Sequence, residues 1–375
     1  MQERRAQGST RWLVVGGLVA LTTAATACGG SSSSSSVSSA ASGASSAASS
    51  AAGGASSSAA SNGKKYVVGV SNTLQGNGWR EEMICSIKAQ AKVSGQVSKL
   101  IVANKTEGTP QQIADIRNLI SAGANIIIVN PSNPAALVPV IKQATAKGIT
   151  VVSVDQGVDE KTAYNLQNDQ YLYGKLGAEW LFKKLGGKGN VVEMRGIDGA
   201  QADTDRHKGF QDALKAYPNI KVVKSVFTNW ALATATKQIQ DILNAGTKVD
   251  GLWTSGVDAS IVDAFKTAGK PYVPIVGADN NRFISQLIST KGLVGAAVTN
   301  PPPVGGAGLA LALKVKNGDK VEQSVKLTPE VWDQSDQARL KAAYDPKLDP
   351  FYAVATDVKP WTTYTKADLI ACQGP

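Results

Sequence analysis

From Tyr66 onward, short and continuously apolar runs alternate with helical patterns, and few folds accept that order. Val67-Val68-Gly69-Val70 is followed by a helical face carrying Met83, Ile84, Ile87 and Ala91. Leu100-Ile101-Val102 comes next, then a helix with Ile113, Ile116 and Ile120 on one side, ended by Gly123. Its expected start is Thr109-Pro110-Gln111-Gln112, an N-cap, a first-turn proline and a capping-box glutamine. Ile126–Val129, a helix opened by Asn133-Pro134, and Ile149–Val154 complete the first half. Further strands are predicted at 190–194, 221–226, 250–254, 273–277 and 293–298, with helices near 206–216, 234–245, 258–268, 281–290 and 304–316. Strands that are apolar on both faces belong to parallel sheets covered by helices.

Nine such strands are predicted, and the break between Asp155 and Gly189 divides them into two sheets. The expected architecture is α/β, two Rossmann-like lobes joined by a multi-strand hinge, with crossings near 165–168, 299–300 and 323–327. This assigns 64–167 plus 300–323 to an N-terminal lobe, 168–299 to a C-terminal lobe, and 324–375 to a hinge crossing and tail. Open α/β sheets bind ligands outside the carboxyl ends of their strands. The residues there are polar: Ser71-Asn72, Asn130, Asp155-Gln156, Arg195, Thr254-Ser255, Asp279-Asn280 and Thr299-Asn300, with Trp79 and Trp230 in nearby loops. Hydroxyls that both donate and accept match carboxylates and amides beside a guanidinium, and aromatic rings cover the C–H face of a sugar. Trp253, inside an apolar run, reads as core, His207 as surface, and Asp203 and Asp205 as helix-capping positions.

The segment before this body has a different character. Arg4, Arg5 and Arg11 precede an apolar run from Trp12 to Leu21, then small residues lead through Ala25-Thr26-Ala27 to Cys28. That order is a secretory signal peptide, 1–27, and its run is shorter than the about 20 residues that span a bilayer. The cysteine placed after small residues resembles a lipoprotein lipobox, with Cys28 as the lipidated first residue of the mature chain. Residues 28–63 are almost entirely Ser, Ala and Gly and have nothing to bury; such a linker spans roughly 30 Å as a random coil.

Formal charge is +10, yet the lysines are scattered and form no basic run, so we read a solvated surface and no nucleic-acid partner. Of three cysteines, assigning Cys28 to lipid leaves Cys85 and Cys372, a disulfide candidate in an exported protein. The single histidine, His207, removes His-based triads and most His-bearing metal sites, and no cofactor is indicated.

Three segments in order carry a resemblance: Lys64–Val70 with Ser71-Asn72; Gly196 to Phe210, read as Gly-x-x-Gly-…-Asp-x-Asp-Arg-x-x-Gly-Phe; and Gly277-Ala278-Asp279. They resemble the sugar-binding proteins of bacterial ABC importers, in the ribose- and galactose-binding branch of the type I periplasmic binding fold, over residues 64 to 328. The resemblance implies a hinged monomer that closes over one monosaccharide or polyol and delivers it to a membrane permease. It implies ligand contacts for Asn72, Asp155, Arg206, Asp279 and Asn300, with Trp230 near the second-lobe aromatic. Branch members often carry two aromatics just after the first strand; Gly76-Asn77-Gly78-Trp79 supplies one. The stretch from Thr328 to Pro375 exceeds the family's short ending, and its Trp332, Phe351, Tyr352, Trp361 and Tyr364 are expected to pack on the body with Cys372 pinned to Cys85.

Three rivals remain. A sensor lipoprotein presenting the sugar to a receptor would need the same ligand chemistry. A DNA-binding repressor on this fold would need a helix-turn-helix where the chain has signal and serine. A glycosidase would use Asp155 and Asp279 as acid and nucleophile, but an arginine in the same cleft is expected to hold both ionised.

Overall fold

The computed structural model describes residues 63–375. The signal peptide, Cys28 and nearly all of the 28–63 linker lie outside the described residues. In chain order the elements are β1 (Tyr66–Thr73), α1 (Gly78–Ser94), β2 (Val97–Lys105), α2 (Gly108–Ser121), β3 (Ile126–Val129), α3 (Pro134–Ala146), β4 (Thr150–Asp155) and β5 (Tyr164–Asn168). Then come α4 (Gln170–Lys184), β6 (Lys188–Arg195), α5 (Gln201–Leu214), β7 (Asn219–Phe227), α6 (Leu232–Asn244), β8 (Gly251–Trp253), α7 (Asp258–Thr267), β9 (Ile275–Ala278), α8 (Asn281–Ser289) and β10 (Gly295–Val298). The chain ends with α9 (Val304–Lys316), β11 (Ser324–Leu327), β12 (Val331–Asp333), α10 (Gln337–Ala343) and α11 (Lys366–Ala371).

Two six-stranded sheets form, in the orders β11-β5-β4-β3-β1-β2 and β12-β10-β9-β8-β6-β7. Every pairing in the first is parallel; in the second only β12 runs antiparallel, against β10. Ile126, Ile127, Ile128 and Val129 of β3 are all fully buried, as continuous apolar strands between helical layers require. The nine expected strands are present, and β5, β11 and β12 add to them. All three are short and mix polar with apolar residues, and β11 and β12 lie at sheet edges, so periodicity gave no signal for them.

The chain crosses between lobes three times. Residues 165–168 and 324–327, expected to lie in crossings, are instead in the strands β5 and β11, paired with each other in the first sheet, where β11 forms the edge and β5 lies between it and β4. The crossings follow them, at Asp169 into α4 and at 328–330 into β12, and the middle one runs from Thr299 to Pro303 between β10 and α9. The expected capping box on α2 is also corrected. The helix begins at Gly108 with no side-chain cap, and Gln112 turns instead to the loop after β3. It donates to the Asn130 carbonyl (2.8 Å) and accepts from the Ser132 amide (2.8 Å). A buried loop with unpaired backbone groups outcompetes a helix end that water can satisfy. On α3 the expected cap does form, Asn133 Oδ1 accepting from Ala136 N at 3.0 Å.

Helices α4 and α5 approach closely enough for backbone to touch backbone. A Cβ on Gly174 would lie 1.9 Å from the Arg206 carbonyl oxygen, and one on Gly209 would lie 2.0 Å from the Tyr171 carbonyl oxygen. This contact sets the position of Arg206. Gly174→Ala is expected to destabilise the protein by about 3 kcal/mol, the upper part of the overpacking range, seen as a lower urea midpoint with unchanged slope. An unchanged midpoint would mean that the two helices separate at no cost.

Candidate functional site

A cleft of about 500 Å³ lies between the lobes, at the carboxyl ends of both sheets. Trp79, Asp155, Arg206, Trp230, Asp279 and Asn300 all line it. Asn72 does not; it lies beneath the wall, its Oδ1 accepting from Arg80 Nη1 (2.9 Å) and its amide donating to Asn104 Oδ1 (2.8 Å). The first-strand asparagine therefore reaches the cleft only through Arg80, a lining residue that the sequence reading passed over. Arg80 sits in the first turn of α1, whose N-cap Asn77 accepts from its amide. Burial pulls the Arg80 guanidinium down to about 10, Asp155 opposing and Arg206 adding to the effect, so it stays charged at neutral pH.

Asp155 ends β4 with a φ of 69°, and its Oδ1 accepts from Asn168 Nδ2 (2.9 Å) and Gln170 Nε2 (2.7 Å). Gln170 uses its other end for Arg206, whose Nε donates to Gln170 Oε1 at 2.7 Å. One amide thus joins a carboxylate of the first lobe to a guanidinium of the second. The Arg206 guanidinium also lies 4.1 Å above the Tyr173 ring and 5.9 Å from that of Trp230. Trp230 packs its indole where a side chain on Gly196 would stand, and its amide donates to Thr228 Oγ1 at 3.2 Å. Trp79 Nε1 donates to the Asn300 carbonyl at 2.6 Å, tying the first-lobe indole to the middle crossing.

Asp279 follows β9 and is almost completely buried. Its Oδ1 accepts from Asn300 N (3.2 Å), while Oδ2 has no protein partner. Burial pushes this carboxyl up to about 7, with Asp258 adding to the rise and Arg206 opposing it. The expectation that arginine keeps both cleft carboxylates ionised therefore fails for Asp279, because the loss of water outweighs one guanidinium. Asp258, likewise raised by burial, accepts from the Ala278 amide (2.9 Å), the Gly256 amide (2.8 Å) and Asn280 Nδ2, and so fixes the loop that presents Asp279.

Four of the five non-glycine residues with positive φ among the described residues line this cleft: Leu74, Asp155, Asn229 and Trp230. Such conformations cost about 1–3 kcal/mol each and gather at binding and catalytic sites. Other expected positions serve the framework. Arg195 is paired with Asp203 at 2.6 Å, Asn130 bonds Gln156 at 3.1 Å, and Trp253 is core. His207, expected at the surface, is half-buried against Glu193 Oε1 at 2.7 Å. The lobes touch beside the cleft, where Gln156 Oε1 accepts from Ala202 N at 2.8 Å. Among the described residues no group of three or more His, Cys, Asp or Glu is arranged to hold a metal, and no helix is long and apolar enough to cross a membrane.

The profile of the periplasmic binding protein domain matches residues 68–320. The chain is 30% identical over 215 residues to a xylitol-binding protein of Mycolicibacterium smegmatis, covering 56% of this chain and 62% of that protein. It is 26% identical over 226 residues to the ribose import binding protein of Escherichia coli, covering 60% and 76%. A solved ABC transporter solute-binding protein from Thermobispora bispora superposes with a TM-score of 0.71 at 28% identity, covering 81% and 94%.

The raised Asp279 carboxyl has a consequence for stability. The folded state holds its proton up to about pH 7, whereas an unfolded aspartate releases it near 4. Its contribution is therefore full below about pH 4 and is lost as pH rises through about 7. The unliganded protein should melt lower at pH 8 than at pH 5, and Asp279→Asn should reduce that difference. Glu82 and Asp258, raised in the same direction, retain the remainder. An equal difference in the variant would contradict the assignment.

Proposed function

Because this chain belongs to the periplasmic binding protein domain family, we propose that it is the substrate-binding component of an ABC importer, holding a neutral monosaccharide or polyol between its lobes and passing it to a membrane permease. Both curated relatives described above are named for small polyhydroxyl ligands, xylitol and ribose. The observation that carries the reading is the pairing of Asp279 Oδ2, buried without a partner, with two buried guanidinium side chains, Arg80 and Arg206, across one cleft. A hydroxyl donates to the first and accepts from the second, so adjacent hydroxyls of one ligand satisfy both. Even with Asp279 protonated, Glu81, Asp155 and Asp349 outnumber those two arginines along the lining, which disfavours a sugar phosphate or a sugar acid.

Direct contacts are assigned to Asp155, Arg206, Asp279 and Asn300, with Trp79 and Trp230 as flat walls on opposite lobes. Asn72 acts through Arg80. The protein binds and releases its ligand without altering it, and the Asp279 carboxyl ionises when ligand hydroxyls donate to it. Thermal unfolding against D-ribose, D-galactose, xylitol and inositol should return at least one stabilising ligand, by about 2.7 kcal/mol at a hundredfold excess over its dissociation constant. Arg206→Ala and Asp279→Ala should each weaken that ligand at least about tenfold, which is ~1.4 kcal/mol. A panel with no shift would reject the substrate class, and a ligand chemically converted during incubation would make the protein an enzyme.

We further propose that the mature protein works outside the cytoplasm as a monomer, tethered to the membrane through lipid on Cys28 and the Ser/Ala/Gly linker; the N-terminal sequence pattern supports export and the anchor. Radiolabelled palmitate should enter the protein in cells and be lost from Cys28→Ala. Label persisting in the variant would remove the anchor from this cysteine.

A further inference from the structure

The matched family segment ends at residue 320, yet the chain beyond it builds part of the cleft. Residues 350–354 run beside the loop that carries Asp279. Asn281 N donates to the Tyr352 carbonyl (2.8 Å), Arg282 N to the Pro350 carbonyl (2.8 Å), and Val354 N to the Asp279 carbonyl (2.9 Å). On the other lobe, Glu82 Oε2 accepts from Ala353 N (2.6 Å), Gln90 Oε1 accepts from Thr363 N (3.0 Å), and Cys85 is joined to Cys372 as a disulfide. Leu340 and Val354 belong to the second lobe's core and Val358 to the first's, so the segment is fastened to both.

This fastening brings Phe351 to the cleft lining while leaving it 36% exposed. It also brings Phe351 against Gly78, where an added Cβ would lie 2.6 Å from both the Phe351 Cβ and its carbonyl oxygen. Gly78 opens α1, immediately before Trp79. The first loop thus lacks a second aromatic side chain, and the backbone of the C-terminal segment occupies the space such a side chain would need. We propose that Phe351 supplies the second aromatic face of the first-lobe side of the cleft, a ligand-binding and specificity-determining residue delivered from outside the matched family segment. Its ring covers ligand C–H surface beside Trp79, and the glycine at position 78 exists to admit it. This rests on the sugar- or polyol-binding reading above.

The test is calorimetric titration of the protein with D-ribose, D-galactose and xylitol. Phe351→Leu should weaken whichever of these binds by about tenfold, the scale of one lost aromatic contact. Phe351→Tyr should bind within about threefold of the unaltered protein, because it keeps the ring. Neither exchange should move the melting temperature of the unliganded protein, since the side chain is partly exposed. Gly78→Ala, which leaves Phe351 in the sequence but displaces it, should weaken binding as Phe351→Leu does. Unaltered affinity in Phe351→Leu, or equal losses in the Leu and Tyr variants, would overturn the proposal while leaving the substrate class intact. An unaltered protein that binds none of the three probes, nor inositol, would overturn both.

Discussion

The Gln170 side-chain amide holds Asp155 at one end and Arg206 at the other, each at 2.7 Å, and the site is organised around that bridge. Both charged groups are buried, and each would be costly to leave unpaired. Gln170 is the first residue of α4, directly after a crossing between lobes, so one residue connects the hinge to charges on both sides. Arg206 in turn depends on the contact of α4 with α5, which exists because Gly174 and Gly209 have no side chains. Backbone packing, lobe connection and the electrostatics of the cleft thus meet at a few atoms.

The cleft gathers groups that are costly to hold without a partner. Asp279 Oδ2 has no protein partner, and four lining residues adopt left-handed backbone conformations. The cores of the two lobes, with fully buried residues such as Ile128 and Phe283, supply the stability that offsets this strain. On the proposed reading, a ligand with adjacent hydroxyls would bond these groups, each bond worth about 1.5–3 kcal/mol when one partner is charged. On that reading a few contacts would dominate the affinity, and the same buried polar groups would give the cleft its selectivity.

How much of this was legible in the sequence differs by layer. The buried strands announced themselves, because a run such as Ile126–Val129 has no other economical placement. The short strands β5, β11 and β12 did not, since runs of three to five residues that mix polar and apolar side chains give no period to read. Six of the seven expected contact residues line one cleft, because chain positions just past parallel strands converge whatever the loops do. Asn72 was misread by one layer, as strand position cannot distinguish a side chain in the wall from one beneath it. Arg80 and Gln170 went unseen for the opposite reason: both lie in first helical turns, where a polar residue is ordinary. The C-terminal aromatics were expected to pack on the body, but their approach to the ligand cleft depends on long-range fastening that no local pattern encodes.

The most direct test of the account is a crystal structure of the protein with D-ribose or xylitol, whichever binds. The account predicts one ligand between Trp79 and Trp230, with hydroxyls within about 3 Å of Asp279 Oδ2 and of an Arg206 nitrogen. A ligand seated elsewhere, or one whose hydroxyls leave Asp279 Oδ2 without a partner, would contradict it.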